Sequence, residues 1–526
     1  IRSGVYRETA FISVTGAPGR AITFAAAPGA HVVLKGSEIV TGPWTQVRPD
    51  PLGEVSTAGV FRALWKTTLD ERFFNEPWFP DSYKDPAKRW VSEVIMNDKH
   101  PFQQIGPDPI HPTGENEILT QVGRGLNDVF AESFWFDPAE QALYVRGPLP
   151  YCLIEVGVRA YVLYVKNSRD LVVRGLDIRH NRTTYVSGRL SEVFGSERVV
   201  VEDCRFQLGD HIGLCLKSST NCVVRRCDAS WNGCVGMNLH ETVDCTVEDC
   251  TMKFNNFRRF NGFWGAAGIK CIPANIRTTI QRCEVAHNFG TFGIWFDGAW
   301  LHQENGRYCN RDIRILDNVC HHNNMGGIFH EVNAGGGVIA GNLCYANDGR
   351  GITVSGHEPG PEGGALWVAH NTVADNNEGV VVMRRAADEL ARNVKVFNNL
   401  LLNNYMPGAE LTSARGVDLQ LEQPADPKER SAWSNEENGN AFADNVHAPS
   451  LRPQWDDDRT LAQWQEQYGQ DKHSRLLAAD WSSPGQGFQM TPTHDLDFAV
   501  PLPEDALKIW SPANPARVGA DRTKWP

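Results

Sequence analysis

The sequence predicts an all-β chain, a right-handed parallel β-helix with an inserted antiparallel β-sandwich. Three observations carry that prediction. Glycine stands at 213, 236, 268, 293, 327, 351 and 379, each time opening a similar run of residues. A second column, Leu176, Cys204, Cys227, Cys250, Cys283, Asn318, Asn342, Asn371 and Asn398, keeps step with it at spacings of 28, 23, 23, 33, 35, 24, 29 and 27. Self-similarity at such a period means stacked repeats in which equivalent positions lie over one another. Each repeat is also rich in Val, Ile, Leu and Cys, turns at Gly and Asn, and lacks the apolar spacing of a helix.

Along the chain, residues 1–36 alternate like two short coils. From Ser37 the period is lost until Tyr151, and Pro and Gly punctuate alternating aromatic segments (VFRALWKTTL, RWVSEVIMND, ESFWFDPAEQALYVRG). That pattern fits the inserted β-sandwich, placed at 37–150. The coils resume at 151 and run to 404 as the main β-helix. Residues 405–526 read as a last coil, a cap containing a short helix (TLAQWQEQYGQ) and a tail, since a solenoid needs its open end covered.

The composition excludes several classes. With 526 residues and a net charge of −12, the acidic surface argues against nucleic acid as a partner. No apolar run reaches membrane-spanning length. All 13 cysteines fall between Cys152 and Cys344 without CxxC spacing. They read as small buried hydrophobes of the stack, so neither metal nor other cofactor is expected. Many reduced thiols favour the cytoplasm. The chain opens inside a strand, so export stays open, as does homo-oligomerisation.

Within a coil, side chains alternate between inside and outside. Leu214 and Leu216, Met237 and Leu239, and Ile294 and Phe296 point inward. The outward pairs are Cys215/Lys217, Asn238/His240, Lys270/Ile272, Trp295/Asp297, Phe329/Glu331 and Thr353/Ser355. Asp297 and Glu331 each lie four residues after a column glycine, one coil apart. Their backbones should therefore be about 4.8 Å apart. Retaining glycosidases hold their two carboxyls roughly 5–5.5 Å apart, whereas inverting enzymes leave about 6.5–9.5 Å for a water. Two acids so close do not both ionise cheaply, so one is kept as an acid. Spacing alone is also met by two unrelated surface carboxylates. The flanks favour chemistry: Trp295 and Phe296 precede Asp297, Phe329 and His330 precede Glu331, and sugar rings stack on such faces. Insertions at 253–267 and 298–311 border the same place and would wall a short pocket.

The stretch GIWFD (293–297), followed one coil later by IFHEVNAGG (328–336), resembles the β-xylosidases of glycoside hydrolase family 120. That family joins a right-handed β-helix to an inserted β-sandwich. The resemblance implies Asp297 as nucleophile and Glu331 as acid/base of a retaining glycosidase. This chain departs from the family in a longer segment between the acids and in Gly298 after Asp297, where an aromatic is frequent.

Further substrate-binding candidates are His240 and Glu241 (NLHE), Asn238, Lys270 beside the Trp295 column, Trp264 as a stacking platform, Asn333 and His330. His357 and Glu358 read as rim residues, and the Asn column as structural. Two other functions compete. A polysaccharide lyase or C5-epimerase would use Lys217, Lys270, Arg258 or Arg259 on a uronate, although a stacked Asp cluster for Ca²⁺ is not evident. A non-catalytic carbohydrate-binding β-helix would need no paired acids.

Overall fold

A computed structural model describes residues 1–48, 63–76, 84–106, 122–149, 152–183, 188–298, 309–358, 364–383, Arg385 and 389–402, with only short pieces from 404 to 520. The chain divides into two compact units. The first comprises 1–216, 227–237 and 255–266, and the second 217–226, 238–254 and 267–526.

In the first unit the opening residues are β-helix coils. Gly4–Tyr6 pairs in parallel with Val32–Lys35, which pairs with Leu176–Arg179 and so with Arg205–Gln207. Ala10–Ile12 lies on Leu163–Lys166, and Ile22–Ala25 on Arg169–Arg174, also in parallel. The coils on either side of the interruption thus stack directly. Between them, Thr45–Arg48, Leu64–Thr68, Ala142–Arg146, Ser133–Asp137 and Gln103–Gln104 form one sheet, and Ser37–Ile39, Ile154–Gly157, Val94–Met96 and His100–Pro101 another. Strict alternation lets Phe134, Phe136, Leu143 and Val145 share a core with Val94, Met96, Ile154 and Val156. Trp135 and Tyr144 face the other way.

The second unit repeats three parallel strand columns. One of them stacks Ala267–Ile272, Phe292–Asp297, Gly326–Ala340, Arg350–Glu358 and Glu378–Met383 in order. Inward residues such as Ile294, Phe296, Ile328 and Ile352 are fully buried. Gly293 is glycine because a Cβ there would lie 2.7 Å from the Gly327 carbonyl oxygen and 2.9 Å from the Asn323 amide nitrogen of the next coil.

All thirteen cysteines are free thiols, buried except for the half-buried Cys152. In the first unit Cys204 and Cys227 donate Sγ–H to the carbonyls of Val173 and Val201. In the second, Cys250 and Cys283 do the same to Val224 and Val247. Asparagine then takes over the position and satisfies its buried backbone neighbours as well. The backbone N–H of Asn318, Asn342 and Asn371 each donates at 3.0 Å to the side-chain carbonyl one coil on. The last of those carbonyls belongs to Asn399, which corrects the assignment of Asn398 to this column. Every ladder residue follows a left-handed corner: Asp317 (φ 55°), Gly341 (φ 70°), His370 (φ 54°) and Asn398 (φ 57°). Two adjacent asparagines hid the one-residue difference. A second ladder, Asn288, Asn323, Asn347, Asn376 and Asn404, also escaped the sequence reading.

In the tail, helices form at Leu461–Tyr468 and Glu504–Ile509. Leu502, Ala506 and Trp510 pack against Leu316, Val338 and Trp367 on the flank of a strand column. No helix among the described residues is long and apolar enough to cross a membrane.

Candidate active site

Asp297 ends the strand Phe292–Asp297 and pairs in register with Glu331, the two being direct partners across adjacent coils. Both side chains leave the outer face, and their surroundings differ. The Lys270 ammonium stands 3.2 Å from Asp297 Oδ2. Glu331 is 8 % exposed. Its Oε2 accepts from Trp295 Nε1 at 3.1 Å and its Oε1 from Arg385 Nε at 2.5 Å. Burial, followed by the charge of Asp297, pushes the Glu331 carboxyl above the usual carboxylate range, against the opposing pull of Arg385 and Lys270.

Gly298 has a steric origin. A Cβ at that position would meet the Val332 carbonyl oxygen at 1.8 Å and Asn333 Oδ1 at 2.9 Å. The close approach of the next coil therefore forbids an aromatic after Asp297.

Several sequence candidates take other roles. Trp295 and Phe329 are 1 % and 7 % exposed and pack on each other with Phe292 and Ala267. The ammonium of Lys270 covers the Trp295 ring at 3.5 Å. Coil spacing drives these outward rings together, so neither offers a face to a sugar, which corrects that expectation. Lys270 serves the nucleophile candidate and the indole together. Asn238 is buried and donates Nδ2–H to the Lys270 carbonyl, so it anchors the lysine strand. Asn333 closes a further asparagine ladder with Asn275 and Asn310: it donates to the Phe296 carbonyl at 2.9 Å and accepts from Asn310 Nδ2 at 2.8 Å. Its buried amide has both ends engaged, so it does not reach substrate. His330 lies inside the coil, with Nε2 3.3 Å from His357 Nδ1. Burial pushes His330 well below the usual histidine range and His357 down to about 3, so neither carries charge in the core. These two are therefore interior residues and neither substrate ligand nor rim. Glu358 pairs with Arg392.

His240 ends the strand Val235–His240 and Glu241 follows it, with Nε2 and Oε1 3.7 Å apart. Glu241 occupies a left-handed corner and accepts from Ser218 Oγ. Trp264 belongs to the first unit, in a segment anchored by Phe260, and is 54 % exposed. Arg258 in that segment is bound to Asp210, which occupies one of the bases considered for a lyase. Residues 299–308 of the second bordering segment lie outside the described residues, so the expected pocket wall there is not characterised.

Arg385 is the group that sequence reading missed. It lies beyond the strand Glu378–Met383, where the coil period gives no signal, and contacts Glu331 as a positioning residue. Because Arg385 favours the charged form of Glu331, removing it raises the carboxyl pKa further. Under an acid/base role for Glu331, the alkaline limb of kcat/KM for Arg385→Met is expected to move to higher pH. An unmoved limb would separate Arg385 from that ionisation.

Fold and site together define an all-β, parallel β-helix protein with a paired-carboxylate face. The chain belongs to the right-handed β-helix family, whose model matches residues 156–306 and 297–423, just over half of the sequence. No curated protein matches it. Among solved structures, the complex of XylC with xylose is similar at a TM-score of 0.61 and 15% identity, covering 93% of this chain and 83% of that one. A structure described as a glycoside hydrolase gives 0.46 at 11% identity, covering 82% and 90%. The A-module of a mannuronan C-5 epimerase from Azotobacter vinelandii gives 0.35 at 12%, covering 57% and 83%.

Proposed function

We propose that the chain is a retaining, exo-acting glycoside hydrolase of the β-xylosidase type, related to glycoside hydrolase family 120. It would act on short oligosaccharides through a covalent glycosyl-enzyme. The observation that carries this reading is the in-register Asp297–Glu331 pair with its divided surroundings. Lys270 beside Asp297 suits an ionised nucleophile. Burial of Glu331 suits a group that must hold a proton at the start of the cycle. Burial of one carboxyl of the pair and an ammonium beside the other support Glu331 as the acid and Asp297 as the nucleophile. Asp297 attacks the anomeric carbon while Glu331 protonates the departing oxygen; Glu331 then deprotonates the water that releases the sugar. The fold-level similarity to a protein solved with xylose supports a neutral pentose as substrate.

In this reading, 1–36 are N-terminal coils, 37–150 the insertion, 151–404 the catalytic β-helix and 405–526 the C-terminal region. A second reading, a lyase or C5-epimerase acting on a uronate, draws support from the two cations Lys270 and Arg385 around the acids. One assay pair separates them. Xylo-oligosaccharides should yield monosaccharide whose anomeric configuration, followed by NMR, is retained. Uronate polymers should give no unsaturated product absorbing near 235 nm. Inversion, or unsaturated product, would reject the hydrolase reading as stated.

A further inference from the structure

On a different strand column of the second unit, His287, His321 and His322 bring ring nitrogens within 4.8 Å of one another. His287 and His322 occupy equivalent left-handed corners (φ 55° and 53°) immediately before the ladder residues Asn288 and Asn323. Their rings stack at 4.8 Å, and Phe254, at the preceding corner, stacks on His287 at 5.1 Å. His321 lies in the adjoining strand, in register with Ala286 and Tyr345.

An aromatic column alone explains the stacked rings. It does not explain the polar arrangement around His321. Nε2 of His321 faces Glu284 Oε1 at 3.1 Å, and Glu284 Oε2 is held by Lys253 at 2.6 Å. Glu284, bonded to both His321 and Lys253, accepts from the ring and so sets the His321 proton on Nε2. The Nδ1 lone pair of His321 is thereby aimed at His322 Nδ1, 2.8 Å away. A carboxylate holding the far nitrogen of an imidazole is the usual outer-shell device of a metal-binding histidine. The charged groups around the cluster, Lys253, Glu284 and Asp348, include two carboxylates against one ammonium.

We propose that His287, His321 and His322 form a binding site for one borderline divalent transition-metal ion, with Zn²⁺ as the reference ion, clamping two successive coils together. Imidazole donors suit Zn²⁺, Ni²⁺ and Cu²⁺ over Mg²⁺ or Ca²⁺. Metal–nitrogen bonds of about 2.0–2.1 Å in a tetrahedral site need donors roughly 3.3 Å apart. The His321–His322 pair therefore opens slightly, His322 moves its proton to Nε2, and His287 closes by ring rotation. A fourth position is left to water. Linear spacing gave no hint, because the ligands come from consecutive coils.

The test uses tag-free, metal-stripped full-length protein titrated with Zn²⁺ by calorimetry and with Co²⁺ by visible absorption. One equivalent should bind with a Kd of micromolar order or tighter, Co²⁺ should show tetrahedral bands, and Zn²⁺ should raise Tm. His287→Phe and His322→Phe keep a ring in the stack, as Phe254 does, and remove a ligand. Each should abolish the Co²⁺ bands and the rise in Tm. Glu284→Gln should weaken binding by on the order of 10–100-fold. If binding is absent at 100 µM Zn²⁺, or if both Phe variants bind as the parent does, the cluster is an aromatic stack and the proposal falls.

Discussion

Asp297→Ala is expected to lower kcat/KM on aryl-xylosides by about 10⁴-fold or more, equivalent to about 5.4 kcal/mol of transition-state stabilisation. Under the proposed nucleophile role no glycosyl-enzyme forms without the carboxylate, so the loss should fall on the first chemical step whatever the leaving group. Alanine is the cleaner replacement. Asp297→Asn places a side-chain amide directly before Gly298, a pair prone to deamidation that would regenerate aspartate, and the coil contact at Gly298 prevents removing that glycine. Folding should survive, because Asp297 lies on the outer face and its side chain is 19% exposed. The cost to stability is the charge-assisted contact to Lys270, about 2 kcal/mol. Lys270 keeps the Trp295 ring beneath its ammonium. A 2-deoxy-2-fluoro glycoside should label the parent protein at Asp297 and leave the variant unlabelled. Retention of a tenth of the parent activity, or labelling at another carboxylate, would remove Asp297 from the role.

The β-helix was legible because coil stacking imposes one rule on every repeat. A residue of the wrong size or polarity at an interior position would disturb both neighbouring coils, so Gly, Cys and Asn recur at fixed offsets. The same rule made the Asp297–Glu331 register readable. Less legible was what outward side chains do to one another. Trp295, Phe329 and Lys270 were correctly placed outside, yet a 4.8 Å repeat pressed them into a closed cluster rather than a sugar platform. Asn333 and His330 flank the acid closely in sequence, but alternation and the corner at Val332 turn them into the ladder and the interior. Arg385 comes from outside the repeat, so only the folded structure brings it to Glu331.

Glu331→Ala carries the second large effect, with a different signature from that of Asp297. Both oxygens of Glu331 are acceptors, for Trp295 Nε1 and Arg385 Nε. A glutamine has one acceptor oxygen and an NH₂, so Glu331→Gln sets a donor against one of those donors and disturbs geometry as well as proton transfer. Alanine avoids that conflict and opens space for a small nucleophile. It leaves the buried indole N–H without its acceptor, at about 1–3 kcal/mol of stability. Loss of general acid catalysis should lower kcat/KM by about 10²–10⁴-fold on xylo-oligosaccharides, whose leaving groups need the proton. The loss should be much smaller on nitrophenyl xylosides, whose leaving groups depart unprotonated. With those substrates the glycosyl-enzyme should accumulate, because water is no longer deprotonated. Azide, which needs no base, should then restore turnover and give a glycosyl azide of retained configuration. The alkaline limb that reports Glu331 in the parent should vanish from the variant's pH profile. Equal losses on both substrate types with no response to azide would show that Glu331 is not the acid/base, and that burial of its carboxyl serves only the Trp295–Arg385 contacts.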